Sequence, residues 1–328
     1  MIGNSQVPTV SILCTTFNQC QYLGKTLEGF IKQVVPFNIE IIVHDDCSTD
    51  QTSAVVKKYM EISHYPIKYV KSEQNLYSKN INLPILNALK YCTGEFIAFC
   101  EGDDYWIDSE KLACQVEAMR RHECKLSFTS AFLDDGNGPL TETIADFGNV
   151  EKMVKPEEII KGGGRFMPSP SLVFKKSLLD TMPVWFTRAP VGDYFMQIMG
   201  GLPDGALFVP TVSCVYRIGA QGSWSLTKKT FSREKLLRDA LSYEEVFNSI
   251  KKENGKYKDI LNYALSREIY YISTSLIRRK SFSDARAMLE KSYAYYPNLN
   301  KIQNYLYKFK YCLPIFYCFY LLKDRIRS

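Results

Sequence analysis

The sequence predicts an α/β fold: an open, mostly parallel, twisted sheet flanked by helices, followed by a C-terminal α-helical region. Three observations support this prediction. Apolar runs alternate with amphipathic segments four times within roughly the first 100 residues, which is typical of successive strand–helix units. Polar residues follow the apolar runs, where the strands are expected to end. From about Phe231 the composition becomes helical up to the C terminus.

The first strand–helix pair is predicted from two adjacent segments. The run TVSILCTTFN starts with apolar and β-branched residues and turns polar at Thr15, as expected for a buried strand that ends in a loop. In QYLGKTLEGFIKQVV, apolar residues recur at helical spacing, which predicts an amphipathic helix. These apolar positions are Leu23, Leu27, Phe30, Ile31 and Val34.

The next elements repeat this order. IEIIVHDDCSTD predicts a second strand that ends in acids, and Ser48, Thr49 or Asp50 can cap the helix that follows. PIKYVKS predicts the third strand. NINLPILNALKYC predicts a helix that accommodates Pro84 in its first turn, and GEFIAFCEGDD predicts the fourth strand.

The pattern is less regular after Lys111. A helix is predicted for KLACQVEAMRRH and a strand for KLSFTSAFLDD. No GK[ST] follows the glycine run in GGGRF, so the run does not match a phosphate-binding loop. The run instead predicts a flexible loop over a cleft. VGDYFMQIMGGL predicts a short helix with Asp193 near its start, and ALFVPTVSCVYRIG predicts one long strand or a strand pair.

The net charge of +6 is unevenly distributed along the chain. Residues 221–328 carry a net charge of +11, and residues 1–220 carry −5. A basic C-terminal part suits an anionic membrane surface. Nucleic acid is not expected as a partner, because no recognition motif accompanies the charge. The longest uncharged run, Tyr311–Leu322, is too short to cross a bilayer and contains a proline.

The cysteines and the N terminus indicate a cytoplasmic protein. The ten cysteines form no CxxC pair, and the three histidines exclude a typical zinc site. The first ten residues, MIGNSQVPTV, lack the basic start and apolar core of a secretory signal. We therefore expect reduced, mostly buried thiols.

Three predicted strand ends carry the polar residues of one candidate site: Thr15–Asn18, Asp45–Asp46 and Glu101–Asp104. Ligands bind outside the carboxyl ends of the strands in open α/β sheets, so all three should line one crevice. Carboxylates packed as in Glu101–Asp104 repel one another and raise each other's pKa. A divalent cation bound with a nucleotide diphosphate would relieve this repulsion. Neighbouring polar groups, including Asn18 and Asn75, could contact the nucleotide.

Together these segments resemble the inverting family 2 glycosyltransferases of the GT-A fold. The resemblance rests on TVSILCTTFNQCQYLGKTLEGFIKQ, EIIVHDDCSTDQT and GEFIAFCEGDDYWIDSEKL, and continues through VGDYFMQI and VYRIGAQGSWS. It implies a Rossmann-like nucleotide-binding crevice in a catalytic domain of residues 1–226, followed by a basic, aromatic-rich helical region of residues 227–328. It also implies a nucleotide-sugar donor, usually a UDP-sugar, and a Mg²⁺ or Mn²⁺ ion. The implied acceptor is a hydroxyl of a glycan or lipid-linked acceptor in the synthesis of a cell-surface polysaccharide such as LPS, O-antigen or capsule.

The resemblance also implies roles for single residues on the donor side. Thr15 and Phe17 lie where the nucleotide base is held, and Asp46 matches the acid that contacts the uracil. Asp103 matches the acid directed towards the ribose, beside the metal, and Asp104 matches the metal ligand. The remaining candidate ligand, Glu101, stands where many members carry the first Asp of a DxD motif.

On the acceptor side, Asp193 matches the general base that deprotonates the acceptor hydroxyl. Gly192 stands where many relatives have an acid, and Gly219 stands where they usually have a His. Arg217 and Gln221 are therefore the candidates for the phosphate contact that this His would make.

Structural alternatives accompany these roles. The acids after the fourth strand could form a solvated turn, and Asp193 could be an ordinary acid in a first helical turn. Tyr105 and Trp106 could be packing residues rather than sugar platforms. Two other functional classes are a sugar nucleotidyltransferase, whose glycine-rich N-terminal loop is absent, and a non-catalytic nucleotide-sugar-binding protein.

The C-terminal region has two interpretations. Its aromatic residues could enter the cytoplasmic face of the inner membrane while basic residues meet anionic lipid, which predicts a peripheral membrane protein. The basic residues are Lys308, Lys310, Lys323, Arg325 and Arg327. Alternatively, Tyr311–Leu322 packs on its own helical domain.

Overall fold

The computed structural model describes residues 9–221 and 230–317 of the 328-residue chain. Two compact units are present. The first holds the chain up to Thr187 and again from Val191, and the second holds Arg188–Pro190 and the chain from Thr230 onwards. The domain boundary that the sequence predicts, between residues 226 and 227, lies outside the described residues and stays a prediction.

The first unit starts with the four predicted strands and their connecting helices. The strands pair in parallel in the order β3-β2-β1-β4, which confirms the predicted parallel arrangement. The strands are β1 (Val10–Thr16), β2 (Ile39–Asp45), β3 (Ile67–Lys71) and β4 (Phe96–Phe99). The helices between them are α1 (Cys20–Ile31), α2 (Thr52–Ile62) and α3 (Leu83–Leu89).

Most of the predicted apolar face of helix α1 is buried, as predicted. Leu23, Leu27 and Phe30 are fully buried. Val34 is the exception: it lies past the end of α1 and is 67% exposed. The helix ends early because Pro36 cannot continue it, and the Val34 N–H instead donates to the carbonyl of Ser109 at 2.8 Å.

The rest of the sheet is mixed. It continues from β4 in the order β9-β6-β10-β5, with β7 paired to β6 and β8 to β10. Only β6 and β10 pair in parallel here. The strands are β5 (Tyr105–Trp106), β6 (Leu126–Asp134), β7 (Pro139–Ile144), β8 (Lys152–Val154), β9 (Val173–Lys175) and β10 (Ala206–Arg217). The segment ALFVPTVSCVYR is thus one strand, with register shifts between Phe208 and Cys214.

The described part of the first unit has four more helices: α4 (Lys111–Arg121), α5 (Pro156–Gly162), α6 (Lys176–Leu179) and α7 (Gly192–Gly201). Side chains of β1, β2, α1 and α4 form a common buried cluster. Burying each large aliphatic side chain stabilises the folded state by about 1.5–3 kcal/mol. Packing in this cluster therefore holds the parallel strands in place and sets where they end.

The second unit is helical, as predicted. Its helices are α8 (Arg233–Glu253), α9 (Lys258–Arg278), α10 (Phe282–Tyr295) and α11 (Lys301–Lys308). The buried Gln303 amide of α11 donates to the hydroxyls of Ser292 at 2.8 Å and Ser266 at 3.2 Å. In residues 9–221 and 230–317, no helix combines the length and the apolar character needed to cross a bilayer.

The cysteines of the described residues are all free thiols. Five of these nine are buried, namely Cys14, Cys92, Cys100, Cys124 and Cys214. Burial raises the pKa of Cys92 to about 12, which keeps its thiol protonated and unreactive.

Candidate active site

A pocket of about 470 Å³ opens where the parallel strands end. Hydrogen bonds between the backbones hold the three strand ends together. The Asp46 N–H donates to the Thr16 carbonyl at 2.9 Å, and the Gly102 N–H donates to the Thr15 carbonyl at 2.9 Å. The structure therefore brings the three polar strand ends into one crevice. The sequence-predicted residues that line it are Thr15, Phe17, Asp46, Asn75, Glu101, Asp103, Asp104 and Asp193.

The loop after β4 is held tightly against α1. The Thr26 hydroxyl lies 3.0 Å from the Gly102 carbonyl oxygen and 2.6 Å from that of Asp104. A Cβ at Gly102 would lie 2.6 Å from Gln19 Oε1 and 2.7 Å from Thr16 Oγ1. Only glycine fits this approach, so Gly102 lets Glu101 and Asp103 follow each other at the pocket wall.

The carboxyl groups of this loop have raised pKa values. Glu101 keeps an exposed surface. The pKa of Glu101 is nevertheless raised to about 8. The main cause is the loss of water around its carboxyl group, and the charges of Asp103 and Asp193 add to it. Burial also raises the pKa of Asp103 and that of Asp104, and the charges of Asp103 and Glu101 add to the shift at Asp104. The cluster is therefore not a solvated turn.

Asp104 is hydrogen-bonded to Arg217, the last residue of β10. It is 2% exposed, and its Oδ1 accepts a 2.8 Å hydrogen bond from the backbone N–H of Arg217. The Arg217 guanidinium donates to the Asp103 carbonyl oxygen, and its Nε lies 3.6 Å from Asp134 Oδ2. It also lies 4.6 Å from the ring centroid of Tyr105. These contacts keep one cation beside the acids.

Acidic residues outnumber basic residues in the lining of the pocket. Arg217 is the one basic residue in its described lining, against five acids: Asp46, Glu101, Asp103, Asp104 and Asp193. No three His, Cys, Asp or Glu side chains of the described residues form a ready metal site. Carboxylate oxygens that outnumber the basic groups nevertheless suit a divalent cation that takes its other ligands from outside the protein. The residues present therefore fit a divalent metal.

Asp46 organises the loop after β3. Its two carboxylate oxygens accept from the backbone N–H groups of Leu76, at 2.7 Å, and Tyr77, at 2.9 Å. This loop carries Asn75 and Tyr77 to the pocket. Asp46 thus lies where the sequence predicts it, and its oxygens also shape the neighbouring wall.

Asp193 is exposed in the first turn of α7. Its Oδ1 accepts from the Tyr194 N–H at 2.7 Å, as expected of an acid at a helix start. Asp193 nevertheless lines the same pocket as the acids after β4, and its charge contributes to the raised pKa of Glu101. The structure therefore places a carboxylate from a separate element beside the acid cluster.

Some sequence candidates do not reach the pocket. Asn18, predicted to contact the nucleotide-sugar, has a left-handed backbone with φ of 51°, and its Oδ1 accepts from the Thr49 N–H at 2.8 Å. It lies with Gln221 in a separate small depression. Asn18 ties the loop after β1 to the loop after β2, and its contact with the nucleotide-sugar stays a prediction.

The aromatic pair after the acids is confirmed as packing. Tyr105 and Trp106 are 1% and 4% exposed and do not line the pocket. Trp106 donates from Nε1 to the Pro170 carbonyl at 2.8 Å and meets Phe30 edge-on at 4.7 Å. Asp50 also has a structural role, since it accepts from the N–H groups of Cys20 and Thr52, each at 3.0 Å.

The apolar wall of the pocket carries no distinguishing signal in the sequence. Helices α3 and α7 and the residues just before them supply part of it, through Ile81, Pro84, Ile85, Val191 and Met196. Tyr216 and Ser169 add hydroxyl groups. Apolar residues at helical spacing look alike whether they face a core or a ligand, so no pattern distinguishes these positions.

A family model and several known proteins match this chain. The family model described as Glycosyl transferase family 2 matches residues 11–179. The Escherichia coli protein WfgD, a UDP-Glc:alpha-D-GlcNAc-diphosphoundecaprenol beta-1,3-glucosyltransferase, is 32% identical over 150 residues, which cover 46% of this chain and 52% of WfgD. The chain spans 60% or less of the length of the curated relatives that it matches first.

Two solved structures share the fold. S. aureus TarS in complex with UDP superposes with a TM-score of 0.55 at 19% identity, covering 89% of this chain and 90% of that chain. The mannosyltransferase PcManGT from Pyrobaculum calidifontis, in complex with GDP-Man and Mn²⁺, gives a TM-score of 0.55 at 17% identity, covering 94% and 86%. At these identities the likeness extends to the fold alone.

Proposed function

The chain belongs to glycosyl transferase family 2 and has the GT-A fold of a glycosyltransferase, and on this premise we propose that it moves a sugar from a UDP-sugar to an acceptor hydroxyl with inversion. The acceptor is a glycan or a lipid-linked sugar in cell-surface polysaccharide synthesis. One observation carries the proposal: a single pocket holds the acid cluster after β4 and the Asp193 carboxylate from α7. An inverting transfer needs a charged leaving-group site and a base in one cavity.

The donor side takes the nucleotide. Thr15 and Phe17 offer a hydroxyl and an aromatic face, and Asp46 and Asn75 lie on the neighbouring wall. Two similar proteins support a uridine nucleotide: WfgD is named for UDP-Glc, and TarS was solved with UDP. The proposed donor is therefore a UDP-sugar.

For the metal, we assign Asp103 and Glu101 as the principal ligands, in place of the Asp104 that the resemblance implied. One oxygen of Asp104 already holds the Arg217 N–H, and its side chain is almost fully enclosed. A bound Mg²⁺ or Mn²⁺ would neutralise the donor diphosphate as it leaves. The neighbour PcManGT, solved with Mn²⁺, supports this choice of ion.

Asp193 acts as the general base. As the acceptor oxygen bonds to the anomeric carbon, Asp193 takes the hydroxyl proton, and the bond between that carbon and the diphosphate oxygen breaks. The Arg217 guanidinium, held beside Asp103, faces the diphosphate charge. Base and leaving group then lie on opposite sides of the sugar, which inverts the anomeric centre.

For the second unit we propose peripheral contact with the cytoplasmic face of the inner membrane. Helix α11 buries Gln303 and Leu306 but exposes Ile302 (58%) and Tyr305 (61%), which continue into other exposed apolar residues. These include Phe309, Tyr311 and Ile315. Among the basic residues, Lys310 is paired with Glu290 at 2.8 Å, and Lys323, Arg325 and Arg327 lie outside the described residues.

A donor screen tests the function. The full chain is incubated with UDP-, GDP- and dTDP-sugars, with Mn²⁺, with Mg²⁺ or with EDTA, and nucleoside diphosphate release is measured. We expect UDP release that requires the metal ion. The control variant is Asp180→Asn, which alters an exposed acid that directly follows α6 and pairs with Lys176. It should behave like the parent protein. Calorimetry that detects no UDP binding with Mn²⁺ would contradict the proposal.

A further inference from the structure

We propose that Gly164 determines which acceptors reach the base: its missing side chain leaves an opening beside the Asp193 carboxylate, and the acceptor hydroxyl approaches through it. This inference rests on the proposed function, because it takes Asp193 as the base. It assigns a specificity-determining role to the glycine run GGGRF, which the donor chemistry does not use.

Gly164 lies directly beside the carboxylate. A Cβ built on it would be 3.5 Å from Asp193 Oδ2, 3.8 Å from Asp193 Oδ1 and 3.5 Å from the Cβ of Tyr194. These are ordinary contact distances, so a methyl group fits without displacing its neighbours. Side-chain atoms beyond Cβ would occupy space at the carboxylate that the acceptor needs.

The glycines before Gly164 have structural reasons to be glycine. A Cβ at Gly162 would lie 2.1 Å from the Phe166 ring, and Gly163 has a left-handed φ of 79°. Gly164 has neither constraint, since its backbone is outside the left-handed region and its Cβ would meet no clash. A glycine here still costs conformational entropy on folding, so its presence beside the base indicates a need for open space.

Helix α7 also holds the loop that carries Gly164. The Gln197 amide, fully buried one turn after Asp193, donates to the carbonyls of Gly164 and Met167, both at 3.0 Å. The Tyr194 hydroxyl donates to the Ile160 carbonyl at 2.6 Å. Base and loop are thus fastened to one helix, and the loop cannot retreat to admit a larger group beside Asp193.

Water and sugars should respond differently to a narrower opening. In hydrolysis, a water oxygen bonds to the anomeric carbon, Asp193 takes its proton, and UDP leaves with the electrons of the broken bond. In transfer, a sugar hydroxyl takes the place of that water and brings its whole ring. A side chain at position 164 should therefore block the ring and spare the water.

The experiment compares Gly164→Ala and Gly164→Leu with the parent protein. The donors are UDP-glucose and UDP-N-acetylglucosamine with Mn²⁺, and the acceptors are water alone, glycerol and methyl N-acetyl-α-glucosaminide. Hydrolysis, glycoside formation and calorimetric UDP affinity are measured. Gly164→Leu should lower glycoside formation about 100-fold through misplacement of the acceptor, with the methyl glycoside affected more than glycerol. Hydrolysis and UDP affinity should stay at the parental values, and Gly164→Ala should give a smaller loss.

Two controls keep the outcomes distinct. Gly255→Ala introduces a methyl group where no atom lies within 4 Å, and it should leave the ratio of transfer to hydrolysis unchanged. Parental transfer by Gly164→Leu would overturn the inference, and so would a parallel loss of hydrolysis, transfer and UDP affinity. Asp193→Asn is measured in the same assay. Persistent transfer by that variant would instead overturn the assignment of the base.

Discussion

The backbone N–H of Arg217 donates a 2.8 Å hydrogen bond to Oδ1 of Asp104, across 113 residues of sequence. This bond joins the end of β10 to the acid loop after β4. Arg217 is also the one basic residue in the described lining of the pocket. A single contact therefore positions the backbone of the pocket's cation and occupies one lone pair of the Asp104 carboxylate.

Asp104→Ala should destabilise the protein by about 1–3 kcal/mol, because it leaves the partly buried Arg217 N–H without its acceptor. Asp104→Asn keeps an acceptor oxygen and removes a charge from the crowded cluster, so it should unfold at the parental urea concentration or above. Urea unfolding followed by circular dichroism measures both. Equal loss of stability in the two variants would show that the charge, and not the hydrogen bond, matters.

Asp193→Asn should lower sugar transfer about 100- to 10,000-fold while UDP binding stays intact, because it removes the base and keeps the shape of the side chain. Transfer is measured by UDP release with acceptor, and binding by calorimetry with Mn²⁺. Asp180→Asn serves as the control. Transfer close to the parental rate would show that another group takes the acceptor proton.

In the absence of metal ions, the free energy of unfolding of the protein should decrease as the pH rises from about 4.5 to about 8. The pKa of Glu101 is raised from 4.5 to about 8, so in this range the folded state holds a proton that the unfolded chain has released. Below the range both states are protonated, and above it both are ionised. The raised pKa values of Asp103 and Asp104 act in the same direction. Urea midpoints measured across this pH range in EDTA test the slope.

Glu101→Gln should flatten this slope, since glutamine does not titrate. Glu151→Gln is a suitable control, because Arg121 and His122 lower the pKa of Glu151 instead of raising it. If the slope of Glu101→Gln equals that of the parent protein, Glu101 is not the group responsible.

Mn²⁺ affinity in the presence of UDP should increase with pH, because the metal competes with protons for the same carboxylates. Asp103→Asn should weaken this affinity more than Asp104→Asn does, because Asp104 already accepts from Arg217. Calorimetric titration of Mn²⁺ into the UDP-saturated protein gives both comparisons. The opposite order would restore Asp104 as the principal ligand.

The double variant Ile302→Ser/Tyr305→Ser should float less with phosphatidylglycerol-containing liposomes than the parent protein does. These side chains form the exposed apolar face of α11, next to basic residues. The matched control Leu241→Ser/Tyr271→Ser removes apolar residues that are 61% and 46% exposed on α8 and α9. Equal flotation of parent and α11 variant would favour the alternative in which this region only packs within its own unit.

The sequence by itself determined the parallel strands, their connecting helices and the acids at the strand ends. These features are local, because strand and helix periodicities and the switch from apolar to polar are written within 10 to 15 neighbouring residues. The same local pattern placed Asp193 near a helix start. It also supported the family resemblance, which the family model matching residues 11–179 confirms.

Only the tertiary structure decided which polar atoms face the pocket. Asp104 gives an oxygen to Arg217, Asp46 shapes the loop after β3, and Asn18 turns away to bond Thr49. Gly164 comes to lie beside Asp193 through the hydrogen bonds of Gln197. Each of these outcomes depends on a hydrogen-bond partner about 30 or more residues away, and a side chain's neighbours at that separation are set by the packing of whole elements rather than by its own segment.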